Sequence, residues 1–480
     1  MGPLGRLEQD LPTLMEGACI KQSSRARGER RDGWAEAVRP TLLWVPLGLA
    51  VGALAGVAVT VAPSRVTVLL AGAGAYFLLL MLVANSADPR RSAVLSMAGA
   101  ATTLSWSGLS IGGSLSVGEV VPLAFLPLAI AGATDDLAYR TRRQTAALAT
   151  PAVMIVGAVL ASASTPGTSL APVWIFALAA LTLMTSMYVL RPSRRELNIL
   201  LLGLVAGVVV STLLGLAVLK EPSGRAIGLT VHPNQYSMAA VLALPLLWHL
   251  TRDRVLPRLV AVAGALVMVG GVLQSGSRSG LLALAVVLLV WSYREAGFYL
   301  TFGVLAAGAL VLVGANAVLG LTDTPAVARL LSSSETADSD AGRIALLTHE
   351  LSAILDGNYI LGIGFGAGRM PHNLVLLVWG GFGLLGLVFF VWLMWVLLAP
   401  ALSRRSGELS AALALGCLGF TVALMLNNLI GASFFWLTAA IAFFRRREPP
   451  SSRAEPVEES VETHPPGRHL RPPERTPSLT

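Results

Sequence analysis

Apolar runs of roughly 17 to 25 residues, the length that carries an α-helix across a bilayer, follow one another from Thr41 to Phe444. A backbone inside hydrocarbon must satisfy its own hydrogen bonds, and only the helix and the closed barrel do so. Barrel strands read as short alternating segments, and these do not recur here. The expected fold is all-α, a polytopic transmembrane helical protein. With 54% hydrophobic and only 13% charged residues, the chain is neither a soluble multidomain enzyme nor a disordered polymer.

Fourteen runs lie near 41–62, 66–84, 92–109, 117–134, 145–162, 172–190, 197–219, 236–250, 258–274, 280–293, 297–319, 372–398, 409–427 and 429–444. The short runs 236–250 and 280–293 are expected to be tilted or partly re-entrant. The last two can be read as one hairpin, which gives about twelve to fourteen spans. The chain then divides into an Arg-rich tail (1–40), a first set of membrane helices (41–219), a second membrane region (220–444) containing the long loop 320–371, and a tail rich in Pro, Glu and Arg (445–480). Both tails read as disordered. No apolar core precedes Thr41, so no cleavable signal peptide is expected.

A net charge of +8 invites a nucleic-acid reading, but the basic residues sit in short clusters between apolar runs. That is a topology signal, not a binding patch, and no nucleic-acid partner is expected. Placing both termini in the cytoplasm leaves seven cations outside: Arg65, Lys220, Arg225, Arg278, Arg329, Arg343 and Arg369. The expected location is the cytoplasmic membrane of a bacterium, crossed many times. Cys19 in the tail and Cys417 in an apolar run cannot pair.

Most of the outside cations fall in 220–235, the turn 274–280 and the loop 320–371. Loops as long as the last are usually functional. Within it, Ile344, Leu347, Leu351 and Ile354 fall at helical spacing. The pattern predicts an amphipathic helix over 341–356 at the outer surface, capped by Ser339 or Asp340 and ended by Gly357.

Several residues carry possible chemistry. His372, where the long loop re-enters the membrane, offers an imidazole that titrates near neutral pH and so a general base; with Asn373 it can equally cap a helix. Arg343, Arg278 and Arg225 project from the same face, and guanidinium groups bind phosphate oxygens bidentately. Plain solvation of loop charges is the alternative. In His232-Pro233-Asn234, Pro233 stops the preceding segment and Asn234 is placed to cap the next helix. The glycines of 361–368 are able to cradle an anion through backbone N–H groups. Asp338 and Asp340 have a spacing used for metals but lie in a Ser/Asp-rich stretch, and Asp135-Asp136 reads as cytoplasmic loop charge. No zinc, P-loop or serine-elbow motif occurs, and no cofactor or metal is expected.

Taken in order, His232-Pro233-Asn234, Ser277-Arg278-Ser279-Gly280, Gly342-Arg343 and Gly362-Ile363-Gly364-Phe365-Gly366 followed by His372-Asn373 resemble the O-antigen ligase and polymerase family over roughly 223–398. The resemblance implies a glycosyltransferase acting outside the membrane on a glycan carried by a polyprenyl (undecaprenyl) diphosphate. It implies His372 as catalytic base, with Arg343, Arg278 and Arg225 on the diphosphate and His232, Asn234 and Asn373 in support. The acceptor is a glycan, lipid or protein; membrane lipids surround the substrate, and envelope-glycan assembly proteins are possible partners. A transporter or flippase of a lipid-linked saccharide and a non-catalytic scaffold are the competing readings. A transporter places ionisable groups near the bilayer midplane, whereas here they gather on one face.

Overall fold

The computed structural model describes residues 83, 85–111, 115–133, 141–165, 167–296, 337–365, 372–427 and 429–446. The runs 41–62 and 297–319, nearly all of 66–84, the Asp135-Asp136 pair and most of both tails lie outside the described residues. All the helices belong to the unit that ends at Arg445.

Helices account for nearly every run that is described. α1 (Pro89–Thr102) is followed by a two-stranded antiparallel pair, β1 (Ser110–Ile111) and β2 (Leu115–Ser116). Then come α2 (Val117–Val120), α3 (Pro122–Ala131), α4 (Arg142–Ser164), α5 (Ala171–Leu190) and α6 (Arg194–Ala217). The second half holds α7 (Pro233–Arg252), α8 (Arg258–Gln274), α9 (Arg278–Ala296), α10 (Ala337–Asp356), α11 (Leu374–Leu402), α12 (Glu408–Leu424) and α13 (Ser433–Phe444). Among the described residues, α4, α5, α6 and α11 are long and apolar enough to cross a membrane. This is the architecture of a helical membrane protein.

Caps explain several starts. Thr141 with Gln144, and Ser193 with Glu196, form capping boxes at α4 and α6. Pro stands in the first turn of α1, α3, α5 and α7, where its missing N–H costs nothing.

Helices in lipid gain little from hiding apolar surface against one another, so close approach of backbones matters more. Gly203 and Gly207 of α6 lie against the Ala98 and Thr102 carbonyls of α1, where an added Cβ would sit 2.2 and 1.8 Å from oxygen. Gly157 of α4 meets the Phe382 carbonyl of α11 in the same way, and Gly416 of α12 meets Leu242 of α7.

α7 stands at the centre of the second half. It packs on α6, α8, α9 and α12, and from Gln235 to Leu247 every residue is buried. The run read at 236–250 lies within a 20-residue helix. Its polar residues lower its hydropathy because they face protein rather than lipid: Tyr236 donates to the Thr212 carbonyl of α6 at 3.1 Å. The run 280–293 likewise lies in a 19-residue helix, α9.

α11 is broken at Gly383, whose φ of 74° and ψ of 176° leave the helical region. The segment after α10 fills the break. Ile363 and Gly364 N–H groups both donate to the Gly380 carbonyl, and Leu384 N–H donates to the Ile360 carbonyl. A Cβ on Gly383 would meet the Leu361 and Ile360 carbonyls at 2.7 and 2.8 Å.

Candidate functional site

The site is assembled at the end of the bundle where α7 begins. His232 is the N-cap: its Nδ1 accepts the Asn234 main-chain N–H at 3.2 Å, and Pro233 fills the first helical position. The capping role expected of Asn234 thus falls to His232. Asn234 sits inside the first turn and turns its amide sideways, donating from Nδ2 to Oδ1 of Asn427 at 2.6 Å. Asn427 is buried just past α12 and donates in turn to the Ser279 hydroxyl at 2.9 Å and the Ala423 carbonyl at 2.7 Å.

The turn between α8 and α9 lies beside this chain and is joined to it through Ser279 and Asn427. Ser275, Ser277 and Ser279 are all buried. Ser275 and Ser277 hydroxyls accept the main-chain N–H groups of Ser277 and Gly280, and the Ser277 and Ser279 hydroxyls lie 3.1 Å apart. Gly276 adopts a φ of +64°, and a Cβ there would lie 2.8 Å from the Arg225 Nε, so glycine serves both backbone and neighbour. Arg225 fastens this turn to the preceding loop: its Nε donates to the Ser275 carbonyl at 2.8 Å and its guanidinium pairs with Glu221 at 3.3 Å. Arg278 is the first residue of α9.

α10 closes the site from the other side. It begins at Ala337, earlier than its apolar spacing predicts, so Ser339 and Asp340 lie within the helix and Arg343 comes nearly two turns after its start. Arg343, Leu346, Glu350 and Ile354 recur at helical spacing and are its less exposed positions, while Ile344, Leu347, Leu351 and Leu355 are exposed. Ile354 packs against Gly380 of α11.

His232, Asn234, Gly342, Arg343, Leu346 and His372 line one cavity of about 330 Å³. Three segments far apart in sequence, each singled out from local pattern, meet there. Asn373 is the neighbouring N-cap of α11, its Oδ1 accepting the Val375 and Leu376 N–H groups at 3.0 and 3.1 Å. Arg225 and Arg278 are not lining residues of the cavity, but Arg225 acts on His232 through its charge.

Both imidazoles are biased toward the neutral form. Burial, and then the Arg343 guanidinium, lower the His372 pKa below the ordinary imidazole value. His232 keeps an exposed edge, yet the packing around its ring lowers its pKa too, helped by Arg225 and opposed by Glu221. Nδ1 of His372 is buried and has no hydrogen-bond partner among the described residues. Such a neutral ring has a lone pair to accept a proton, beside a guanidinium able to hold an anion.

The anion cradle expected of the glycine-rich segment does not form over 362–364. The N–H groups of Gly362, Ile363 and Gly364 are spent on the Asn358 and Gly380 carbonyls. Gly362 permits close packing on α11 instead, and Gly364 on Ser162 of α4.

Two residues escaped the sequence pattern. Asn427 sits in an Asn-Asn pair that interrupts an apolar stretch, a signal in hindsight. Glu350 is buried on the Arg343 face of α10, where burial raises its carboxyl pKa, opposed by His349; nothing but its helical register marks it. Comparison with protein-family models, curated proteins and solved structures finds no match to this chain.

Proposed function

We propose that this protein is a membrane glycosyltransferase. It moves a glycan from a polyprenyl diphosphate, undecaprenyl diphosphate in bacteria, to an acceptor hydroxyl at the outer face of the cytoplasmic membrane, as a polymerase or ligase of surface polysaccharide. The observation that carries the reading is the meeting of Arg343 and His372 with His232 and Asn234 around one cavity at the end of an apolar helical bundle.

The chemistry follows from those groups. A diphosphate is already a competent leaving group, and its departure needs stabilisation of the charge that develops on the bridging oxygen. A fixed guanidinium in a poorly solvated site supplies this without reorganisation. Arg343 holds the diphosphate in the cavity, with Arg278 and Arg225 adding positive potential from outside its lining. The acceptor oxygen attacks the anomeric carbon, the carbon–oxygen bond to the diphosphate breaks, and the acceptor proton passes to His372. Attack from the face opposite the leaving group gives inversion. The polyprenyl tail lies among the lipid-facing helices, and the apolar face of α10 rests at the membrane surface.

The test is a comparison of lipid-linked and surface glycans in cells with and without the gene. Single repeat units stranded on the carrier, with long surface chains lost, mean a polymerase. Completed chains stranded on the carrier mean a ligase. No change in either pool overturns the transferase reading.

A further inference from the structure

We infer that Asn427 fixes the hydrogen-bond sign of the cavity, so that Asn234 presents an acceptor oxygen to a sugar hydroxyl next to the diphosphate. This rests on the diphosphate–saccharide reading and adds a determinant of what the site selects.

The chain of reasoning starts from a main-chain carbonyl. The Ala423 oxygen only accepts, so the Asn427 atom 2.7 Å from it is the amide nitrogen. The same nitrogen reaches the Ser279 hydroxyl. The Asn427 oxygen therefore faces the other way, toward Asn234 at 2.6 Å. Two amide oxygens do not share a hydrogen bond, so the facing atom of Asn234 is its nitrogen. Its oxygen is left to accept. Asn427 is buried with its orientation held at three points, and so the Asn234 amide cannot flip without orphaning a buried group.

A matching argument sets His232. Its Nδ1 is occupied by the Asn234 N–H, so in the neutral ring the proton sits on Nε2, and that nitrogen donates. The cavity thus combines donors, from Arg343 and His232, with an acceptor from Asn234. Donors suit phosphoryl oxygens, and an acceptor does not. A bare diphosphate would use only the first set. The first sugar of a carrier-linked saccharide brings hydroxyl groups within reach of the second. Asn234 then favours the loaded carrier over the bare carrier that transfer leaves behind, which helps product to depart.

The experiment uses the full chain in lipid nanodiscs and two probes: undecaprenyl diphosphate, and undecaprenyl diphosphate carrying one N-acetylglucosamine. The quantity read is the ratio of the two affinities. The wild type should prefer the loaded carrier. Asn234→Ala should lower that preference about fivefold to tenfold, the loss of one hydrogen bond. Asn427→Leu should lower it similarly, and the double variant should go no further, since both changes remove the same oriented oxygen. Asn234 is itself only partly buried, so its variant remains informative if Asn427→Leu fails to fold. An unchanged ratio in Asn234→Ala overturns the inference, as do full additivity in the double variant and a wild type that binds both probes equally. A wild type that binds neither probe overturns the diphosphate reading, and the inference falls with it.

Discussion

α7 carries a histidine near each end. His249, one turn before its C-terminus, is buried with Nε2 3.2 Å from the Asn198 Oδ1. Asn198 donates to Asp253 at 2.9 Å, and Asp253 also receives the Arg194 guanidinium. Beside them Arg252 bridges Glu295 and Glu408 at 2.7 and 2.9 Å. A cavity of about 290 Å³ opens here too, but its charged lining residues already have partners in the protein: Arg252 pairs with Glu295 and Glu408, Arg294 donates to the Pro400 carbonyl and the Ser406 hydroxyl, and Arg404 donates to the Tyr293 carbonyl. His232, at the N-terminal end, shares its cavity with Arg343 and His372, and none of the lining residues is acidic. Both regions gather polar groups where helices end. At one they answer each other, which locks the helices in place. At the other, imidazoles and a guanidinium face a common space, an arrangement that invites an anion from outside.

Substitutions at the two ends should therefore fail differently. The largest effect belongs to His372→Ala, which should lower glycan transfer at least about 100-fold while the thermal midpoint stays near that of the wild type. Full transfer by this variant, assayed with purified protein, breaks the assignment of the base. Arg343→Lys should lose about tenfold or more, because an ammonium does not reproduce the guanidinium fork.

At the opposite end Asp253→Ala should cost about 1–3 kcal/mol of stability, since Asn198 and Arg194 lose their acceptor. Arg194 is half exposed, which keeps the charge contribution small. Thermal unfolding in detergent measures the loss, and the protein that remains folded should transfer glycan at the wild-type rate. A fall in turnover with unchanged stability would erase the distinction between the ends. Arg194 also holds the Asp253 carboxyl below its ordinary pKa. That contribution is present above the unfolded carboxylate value and disappears as acid titrates the folded group.

The pH profile sharpens the comparison further. His372 acts as a base only when neutral, and its pKa lies below the ordinary imidazole value. Transfer should therefore hold through neutral pH and decline only below about 6.5. Arg343→Gln removes the neighbouring cation, so the acid limb of its residual activity should move upward. The smallest change is expected for Arg252→Met: its ion pairs are exposed to solvent, and stability should fall by less than about 1 kcal/mol.

The helices were legible in the sequence because lipid imposes long apolar runs: α5 and α8 occupy the runs read at 172–190 and 258–274 almost residue for residue. α7 was underestimated for the opposite reason. The residues left out of the run, Pro233 to Gln235 and Thr251 to Arg252, are polar or helix-breaking, and only the structure shows that the helix continues through them. His232, Asn234 and His372 stand out as polar groups beside apolar runs and Arg343 as a cation in the long loop, but position alone equally fits caps and solvated loop charges; that they line one cavity is seen only in the structure. Asn427 does not stand out, because its importance lies in a partner nearly two hundred residues earlier. The glycines of 362–364 misled for a related reason: a free N–H and one bonded to a distant carbonyl look alike in sequence.

The break at Gly383 has a mechanical consequence. Where a continuous helix would keep its hydrogen bonds to itself, α11 lends the Gly380 carbonyl and the Leu384 N–H to the strand of chain arriving from α10. Trp379 adds a bond from its indole to the Tyr359 carbonyl at 2.8 Å. The segment that follows α10 is thereby laced into α11 by main-chain stitches as well as by side-chain packing. The chain that leaves α10 is thus anchored at the break of a helix long and apolar enough to cross a membrane, and the position of Arg343 is tied to that helix through its main chain.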